Sequence, residues 1–266
     1  LPGTYINFIS KEKPILDMVD RGYATMALEM DWGPSGEIFR IDAETFQKES
    51  QAYFGYDYAH DKLKGLRDLF MYLNTGYFYR LNSDGAKATC TIATAKYAGI
   101  RGNDITVAVQ TDPDATDKFV VYTYLTTDGV SKTVDKQSGI ATAADLESND
   151  YVDFVSGATL SVTAGTKLTG GTNASAVTLA AYQSYIELIE PYYFNIIAYP
   201  GADSSVKSLL YAFVRRIRES TSLKTQLVAY DIDYNYEGAI GINVNNRTTD
   251  VGHEAGSLAY WTAGVE

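Results

Sequence analysis

Residues able to carry chemistry are few in this 266-residue chain, and their spacing works against each reaction they suggest. The histidines are His60 and His253 alone, and the single cysteine is Cys90. A catalytic triad needs a base near its nucleophile, and no Gly-x-Ser-x-Gly elbow is present. Ser257 follows His253 by one helical turn, a spacing that reads as a solvated helix face rather than a dyad. Cys90 falls in an alternating stretch over 88–93, which predicts a strand with a buried structural thiol. Asp231-Ile232-Asp233-Tyr234-Asn235 imitates the opening of a calcium loop, because oxygens at alternate positions converge on one cation. The imitation fails downstream: Tyr236 takes the position that needs glycine, and Ile242 the position that needs a bidentate glutamate. The reading is a polar turn at a strand end, with adventitious calcium as the alternative.

A nucleotide site is the remaining possibility, and it depends on the element that would position it. Residues 204–217 place Val206, Leu209, Leu210, Phe213, Val214 and Ile217 on one helical face, with Lys207, Ser208, Arg215, Arg218 and Glu219 on or near the other. Ser204-Ser205 offers the N-cap. Apolar runs at 193–199 and 226–230 flank this helix, so the unit is β-α-β, and such crossovers join parallel strands of a buried sheet. Helix N-termini in these units bind phosphates. Here the loop 200–205 holds one glycine, Gly201, followed by Asp203, which would repel a phosphate, and neither glycine-rich phosphate motif occurs in the chain. The expectation is no catalytic residue, no cofactor and no metal.

Composition narrows the class further. A net charge of −11 argues against nucleic acid as a partner, since that affinity comes from Lys and Arg neutralising phosphates. No run approaches the roughly 18 apolar residues of a membrane span, and the N-terminus has no basic region followed by an apolar one, so a soluble mature chain without membrane insertion is expected. It opens at Leu1 without methionine, as a processed or trimmed product would. One cysteine allows no internal disulfide. The triplets at Asn173 and Asn246 fit the glycosylation pattern, with nothing to suggest a secretory route. Tyrosine is abundant, 22 against 2 tryptophans, which suits either half-wet subunit interfaces or sheet packing.

Read in order, the chain changes texture twice. Residues 23–30 alternate as a half-buried strand; 37–41 form a short strand, and Asp42 caps a short helix through Glu49. A firmer helix runs over 62–74, stopped by Gly76, and a strand follows at 77–81. From residue 86, Thr- and Val-rich alternation predicts strands at 88–93, 105–111, 119–126, 130–134, 151–155 and 160–163, with one or two helical turns in 142–148. Asp128-Gly129 is a hairpin signal. Helical spacing resumes at Leu179, Tyr182, Ile186 and Ile189; a strand at 239–244 and a small-residue helix at 254–263 end the sequence. The expected fold is α/β, in the broader α+β sense. A discontinuous α/β core domain over 21–85 and 170–266 carries an inserted β-rich, sandwich- or barrel-like domain over 86–169, and residues 1–20 form an N-terminal extension arm.

The loop from 95 to 104 holds Lys96, Tyr97, Gly99, Arg101, Gly102, Asn103 and Asp104, and it reads as a turn between strands. Ala95-Lys96-Tyr97-Ala98-Gly99-Ile100-Arg101-Gly102-Asn103-Asp104, followed by an alternating strand, resembles the turn in sheath proteins of contractile phage tails and phage-tail-like bacteriocins. Three other stretches agree in order. Leu1-Pro2-Gly3-Thr4-Tyr5-Ile6-Asn7-Phe8 resembles that family's N-terminal extension, Leu168-Thr169-Gly170-Gly171-Thr172-Asn173 the junction after its β insertion, and 254–264 the start of its small-residue helix. Family members continue beyond that helix into a region whose last strand reaches a neighbour, whereas this sequence ends at Glu266.

The resemblance implies a non-enzymatic structural subunit that polymerises as stacked rings into a helical sheath around an inner tube. Contraction of the sheath drives the tube through a target cell envelope. The implied partners are copies of the chain, the inner tail tube protein and baseplate proteins, with no nucleic acid. The implied location is the virion tail or a phage-tail-like particle, made in the bacterial cytoplasm. Thr4, Tyr5, Ile6, Asn7 and Phe8 would form an assembly arm that adds a strand to a neighbour, and Lys207, Arg215 and Arg218 are candidate contacts to acidic faces of neighbours. Two alternatives stand beside it: an α/β enzyme with a β lid, and a surface carbohydrate-binding or adhesin module using the tyrosines.

Overall fold

The computed structural model describes residues 22–174, 176–221, 223–244 and 256–266. Strands β1 (Tyr23–Leu28) and β2 (Ile38–Asp42) lead into helices α1 (Ala43–Phe54) and α2 (Lys64–Phe70) and then β3 (Thr75–Arg80). Seven short strands follow: β4 (Lys87–Thr89), β5 (Ala93–Ala98), β6 (Ile105–Thr111), β7 (Phe119–Thr127), β8 (Val130–Ile140), β9 (Val152–Phe154) and β10 (Thr166–Lys167). The chain then forms α3 (Leu179–Ile189), β11 (Ile196–Tyr199), α4 (Ser204–Thr221), β12 (Gln226–Tyr230), β13 (Ala239–Ile242) and α5 (Ser257–Val265). Among the described residues no helix is long and apolar enough to cross a membrane.

Strands from the two ends of the chain build one six-stranded sheet in the order β13-β12-β11-β1-β3-β2. All of its pairs are parallel except β2 with β3. The stretch between supplies two smaller antiparallel sheets, β10-β6-β7-β8 and β4-β5-β9, so the molecule is α+β with a β-rich insertion in an α/β body. Side chains alternate across a strand, and the large sheet therefore has two apolar faces to cover. Ile196, Ala198, Phe78 and Met26 point into a core closed by Phe46, Phe54, Leu66, Leu69, Ala259 and Ala263 of α1, α2 and α5. Ile197, Tyr199 and Tyr79 point the other way, against Tyr185, Ile186 and Ile189 of α3 and Val206, Leu210, Phe213, Val214 and Ile217 of α4. The result is three layers. A third core, inside the insertion, gathers Ile105, Val107, Val109, Val121, Leu125, Val152 and Leu168.

The apolar stripe of α4 is the one its sequence predicts, and β11 and β12 flank it in parallel. Its cap differs from the expectation. Asp203, not Ser204 or Ser205, caps the helix: its Oδ1 accepts from the backbone N–H of Ser205 at 2.7 Å and of Val206 at 3.3 Å. Carboxylates cap better than the notional serine here because the charge also faces the positive end of the helix dipole. Replacing Asp203 with alanine should cost about 1 kcal/mol, or roughly 2–4 °C in Tm, as read by thermal denaturation.

Elsewhere the local readings shift by turns that sequence alone did not mark. The expected strand over 88–93 is a hairpin, because Cys90 N–H donates back to Ala93 O at 2.8 Å. Cys90 thus sits at a turn, only partly buried. Residues 160–163 form no strand; the sheet edge there is β10, and Gly165, at φ 144°, separates the two stretches. β8 continues to Ile140, past the expected stop, and 142–148 contains a single 3-10 turn closed by a Thr142–Asp145 capping box. Asp42 does not cap α1 with its side chain, since Thr75 and Arg40 occupy the carboxylate. Gly76 lies inside β3, opposite Ala24. A 3-10 turn over Asp61–Leu63 opens the helix expected at 62–74, and α2 ends at Phe70.

Candidate functional site

With no catalytic grouping suggested by the sequence, the surfaces relevant to function are those that join parts of the molecule or face outward. The expected arm, Thr4, Tyr5, Ile6, Asn7 and Phe8, lies outside the described residues, as do His253, Asn246 and the first residues of the helix expected from 254. Among the three cations, Lys207 is not on an open face. It is buried, its Nζ donates to Asp231 O at 3.1 Å, and it lies over the Tyr230 ring. The aliphatic stem reaches across the helix end to satisfy a carbonyl at the close of β12, so a position that looked polar on the helical wheel became part of the core. The start of the supposed calcium loop is a turn, with Asp231 at φ 51°.

Arg218 is held within the subunit as well, by Glu237 at 2.5 Å and Thr225 O at 3.2 Å, over the Tyr236 ring. Arg215 is the cation that stays open: its side chain is 55% exposed and, among the described residues, pairs only with Glu219, one helical turn along. Arg216 next to it binds Glu190, the C-cap of α3, in a bidentate pair at 2.6 and 2.8 Å. The tyrosines divide between two environments. Tyr185 is fully buried with its hydroxyl against Thr25 Oγ1 at 2.8 Å, and burial drives its phenol pKa far up. Tyr23, Tyr77, Tyr192 and Tyr193 instead form an aromatic cluster at the open end of the α3 layer, where Tyr192 and Tyr193 remain 41% and 47% exposed.

Many hydrogen bonds gather at the neck where the chain enters and leaves the insertion. The two passes pair side by side, Thr172 N–H to Ala86 O at 3.0 Å and Ala86 N–H to Thr172 Oγ1 at 2.9 Å. Asn103, expected to close a local turn, exchanges two 2.8 Å hydrogen bonds with the backbone of Gly171. Asn173, the asparagine of the first glycosylation triplet, is likewise committed: it donates to Asp31 and accepts from Ile100 N–H. Two arginines stand in this neck. Arg80, at the end of β3, is fully buried and donates to Ala98 O at 2.6 Å and Gly33 O at 3.2 Å. Arg101 donates to Gly55 O at 2.7 Å, Thr126 O at 2.6 Å and Asp104 at 2.9 Å, and stacks on Tyr56.

Burial pushes the Arg80 guanidinium down to about 10, with the Asp31 charge opposing, so it stays protonated at neutral pH. Asp31 takes bonds from Lys62, Tyr56 and Asn173. Burial raises its pKa, the three hydrogen bonds outweigh that effect, and the carboxyl settles below the usual carboxylate range. A cavity of about 300 Å³ opens beside this group, at the C-terminal end of β1, lined by Glu29, Asp31, Tyr56, Lys62, Asn82 and Tyr260 among others. Its Asp31, Tyr56 and Lys62 are bonded to one another rather than aimed at a shared point.

Sequence reasoning passed over Arg80 and Asp31, placed Trp32 in a turn and read Arg101 as part of a turn between strands. A signal was present for one of them, since a charge closing the aromatic run Tyr77-Phe78-Tyr79 of a sheet strand needs buried acceptors from somewhere.

Comparison with known proteins agrees with this architecture. The model of the phage tail sheath protein beta-sandwich domain matches residues 83–173, and that of the N-terminal region of domain III of tail sheath protein Gp18 matches residues 21–81. Together they span more than half of the chain. A sheath tail protein from Desulfitobacterium hafniense superposes with a TM-score of 0.79 at 34% identity, over 99% of this chain and 61% of its own. One from Listeria innocua gives 0.78 at 33%, over 92% and 56%. In Bacillus subtilis (strain 168), the uncharacterized protein YqbK is 30% identical and the phage-like element PBSX protein XkdK 28% identical, each over 90% of this chain. The chain spans 54% of the length of both of these relatives. Such a family implies a structural, non-enzymatic role and a place in a phage tail. With sheath domain models matching in chain order and a three-layer body shared with solved sheath tail proteins, the chain belongs to the phage tail sheath protein family.

Proposed function

We propose that the chain is the structural subunit of a contractile tail sheath, which polymerises around an inner tube and contracts to drive that tube through a cell envelope. The observation that carries this reading is the superposition on a sheath tail protein over 99% of the chain. In this reading the subunit assembles with its own copies in stacked rings, with the inner tube protein and with the baseplate, in a virion tail or phage-tail-like particle made in the bacterial cytoplasm. The arm Thr4 to Phe8 adds a strand to a neighbour, since main-chain hydrogen bonds give affinity while alternate side chains give register. A head-to-tail contact that does not close generates a helix of subunits rather than a ring alone. Arg215 and the exposed tyrosines of the α3 end are the surfaces suited to meet a neighbour, because tyrosine buries area without leaving a charge unpaired.

Negative-stain microscopy of the full-length protein is expected to show tubes or rings. Particles that remain monomeric across salt and pH would overturn the reading. Deleting residues 1–8 should abolish assembly while the melting transition of the monomer stays in place; a collapse of that transition would assign the segment to the core instead.

A further inference from the structure

We propose that Arg80 and Arg101 form a reciprocal clasp that makes the inserted β sandwich and the six-stranded sheet open as one cooperative unit. The geometry is an exchange. Arg80 comes from the sheet and takes a carbonyl of the sandwich, Ala98 O; Arg101 comes from the sandwich side and takes a carbonyl of the sheet side, Gly55 O, the cap of α1. Arg80 also holds Gly33 O and the side-chain oxygens of Asn82 and Asn173 at 3.2, 3.4 and 3.4 Å, so residues before, within and after the insertion share one guanidinium. Among the described residues no carboxylate touches it. A buried cation without an acid in contact is tolerated only while its donors are met by fixed carbonyl dipoles, and here those dipoles come from both parts at once. Separating the parts strips the cation of a bond and leaves Ala98 O and Gly55 O without their donors. Each part therefore loses its neck if the other leaves. Arginine suits the task because its five donors fan out in one plane, which a lysine cannot reproduce.

The test is native-state hydrogen exchange of the folded chain in rising urea, followed by mass spectrometry of peptides from 87–167 and from 23–80 and 196–242. In the unmodified protein the slowest amides of both groups are expected to merge into one opening with a common urea dependence. In Arg80→Met, and in Arg101→Lys as a variant that keeps the charge, the sandwich peptides should separate and exchange about tenfold faster than the sheet peptides at equal urea. A residue that merely adds stability would shift both groups together. Separate openings in the unmodified protein overturn the proposal, whether or not either variant folds; so does a single common opening retained in a folded variant.

Discussion

Replacing Gly99 with alanine is expected to destabilise the chain by at least about 3 kcal/mol, enough to leave much of it unfolded at moderate urea. Gly99 stands at φ 139°, ψ 158°, a region of backbone space that is almost closed to residues with a side chain. Space is refused as well as angle: a Cβ there would lie 2.0 Å from Asp31 O and 3.1 Å from Arg80 Nη2. Neither neighbour can retreat. Asp31 O accepts from Arg101 N–H, and Arg80 is bonded on every side of its guanidinium. Gly129 gives the matching control, because it also needs positive φ, at 79°, but nothing lies within 4 Å of its missing Cβ. Gly129→Ala should cost only about 1 kcal/mol, the backbone part alone. Urea midpoints by circular dichroism compare the two, and equal losses would show that crowding at the neck contributes nothing.

Trp32→Ala should cost about 3–5 kcal/mol, the range for removing a large aromatic from a closed core. Trp32 is 1% exposed and belongs to the sandwich core although it comes from the loop after β1; the other buried members of that core all lie between residues 88 and 168. Its ring meets Tyr97 edge-on at 5.3 Å, and its Nε1 donates to Ala52 O at 2.9 Å. It therefore plugs one part of the molecule into the other. Trp32→Phe keeps most of the volume and loses the hydrogen bond, so about 1–2 kcal/mol is expected. If Trp32→Ala were as mild as Trp32→Phe, the ring would be no part of the shared core.

Helix α4 shows how far periodicity reaches. A 3.6-residue repeat of Val206, Leu210, Phe213, Val214 and Ile217 leaves only one face that can be buried, and the flanking apolar runs leave only a parallel sheet to bury it against. The hairpin at Asp128-Gly129 was equally plain, since both residues take positive φ, as the tight turn demands. Lys207 was misread for a definite reason. Its wheel position sits at the border of the stripe, and its burial depends on Asp231 O, 24 residues away, arriving within reach.

By itself, the sequence determined the alternation and periodicity of the elements, the parallel β-α-β crossover, the β-rich stretch between two α/β segments and the loops that resemble sheath proteins. These are local properties, written in side-chain spacing over ten or twenty residues. Which charges would be buried, and which groups would solvate them, was settled by folding. Arg80 draws its acceptors from residues 33, 82, 98 and 173, and Arg101 from 55, 104, 126 and 127. A carbonyl looks the same in every residue, so no pattern along the chain marks those that will converge on a guanidinium; folding alone brings them there.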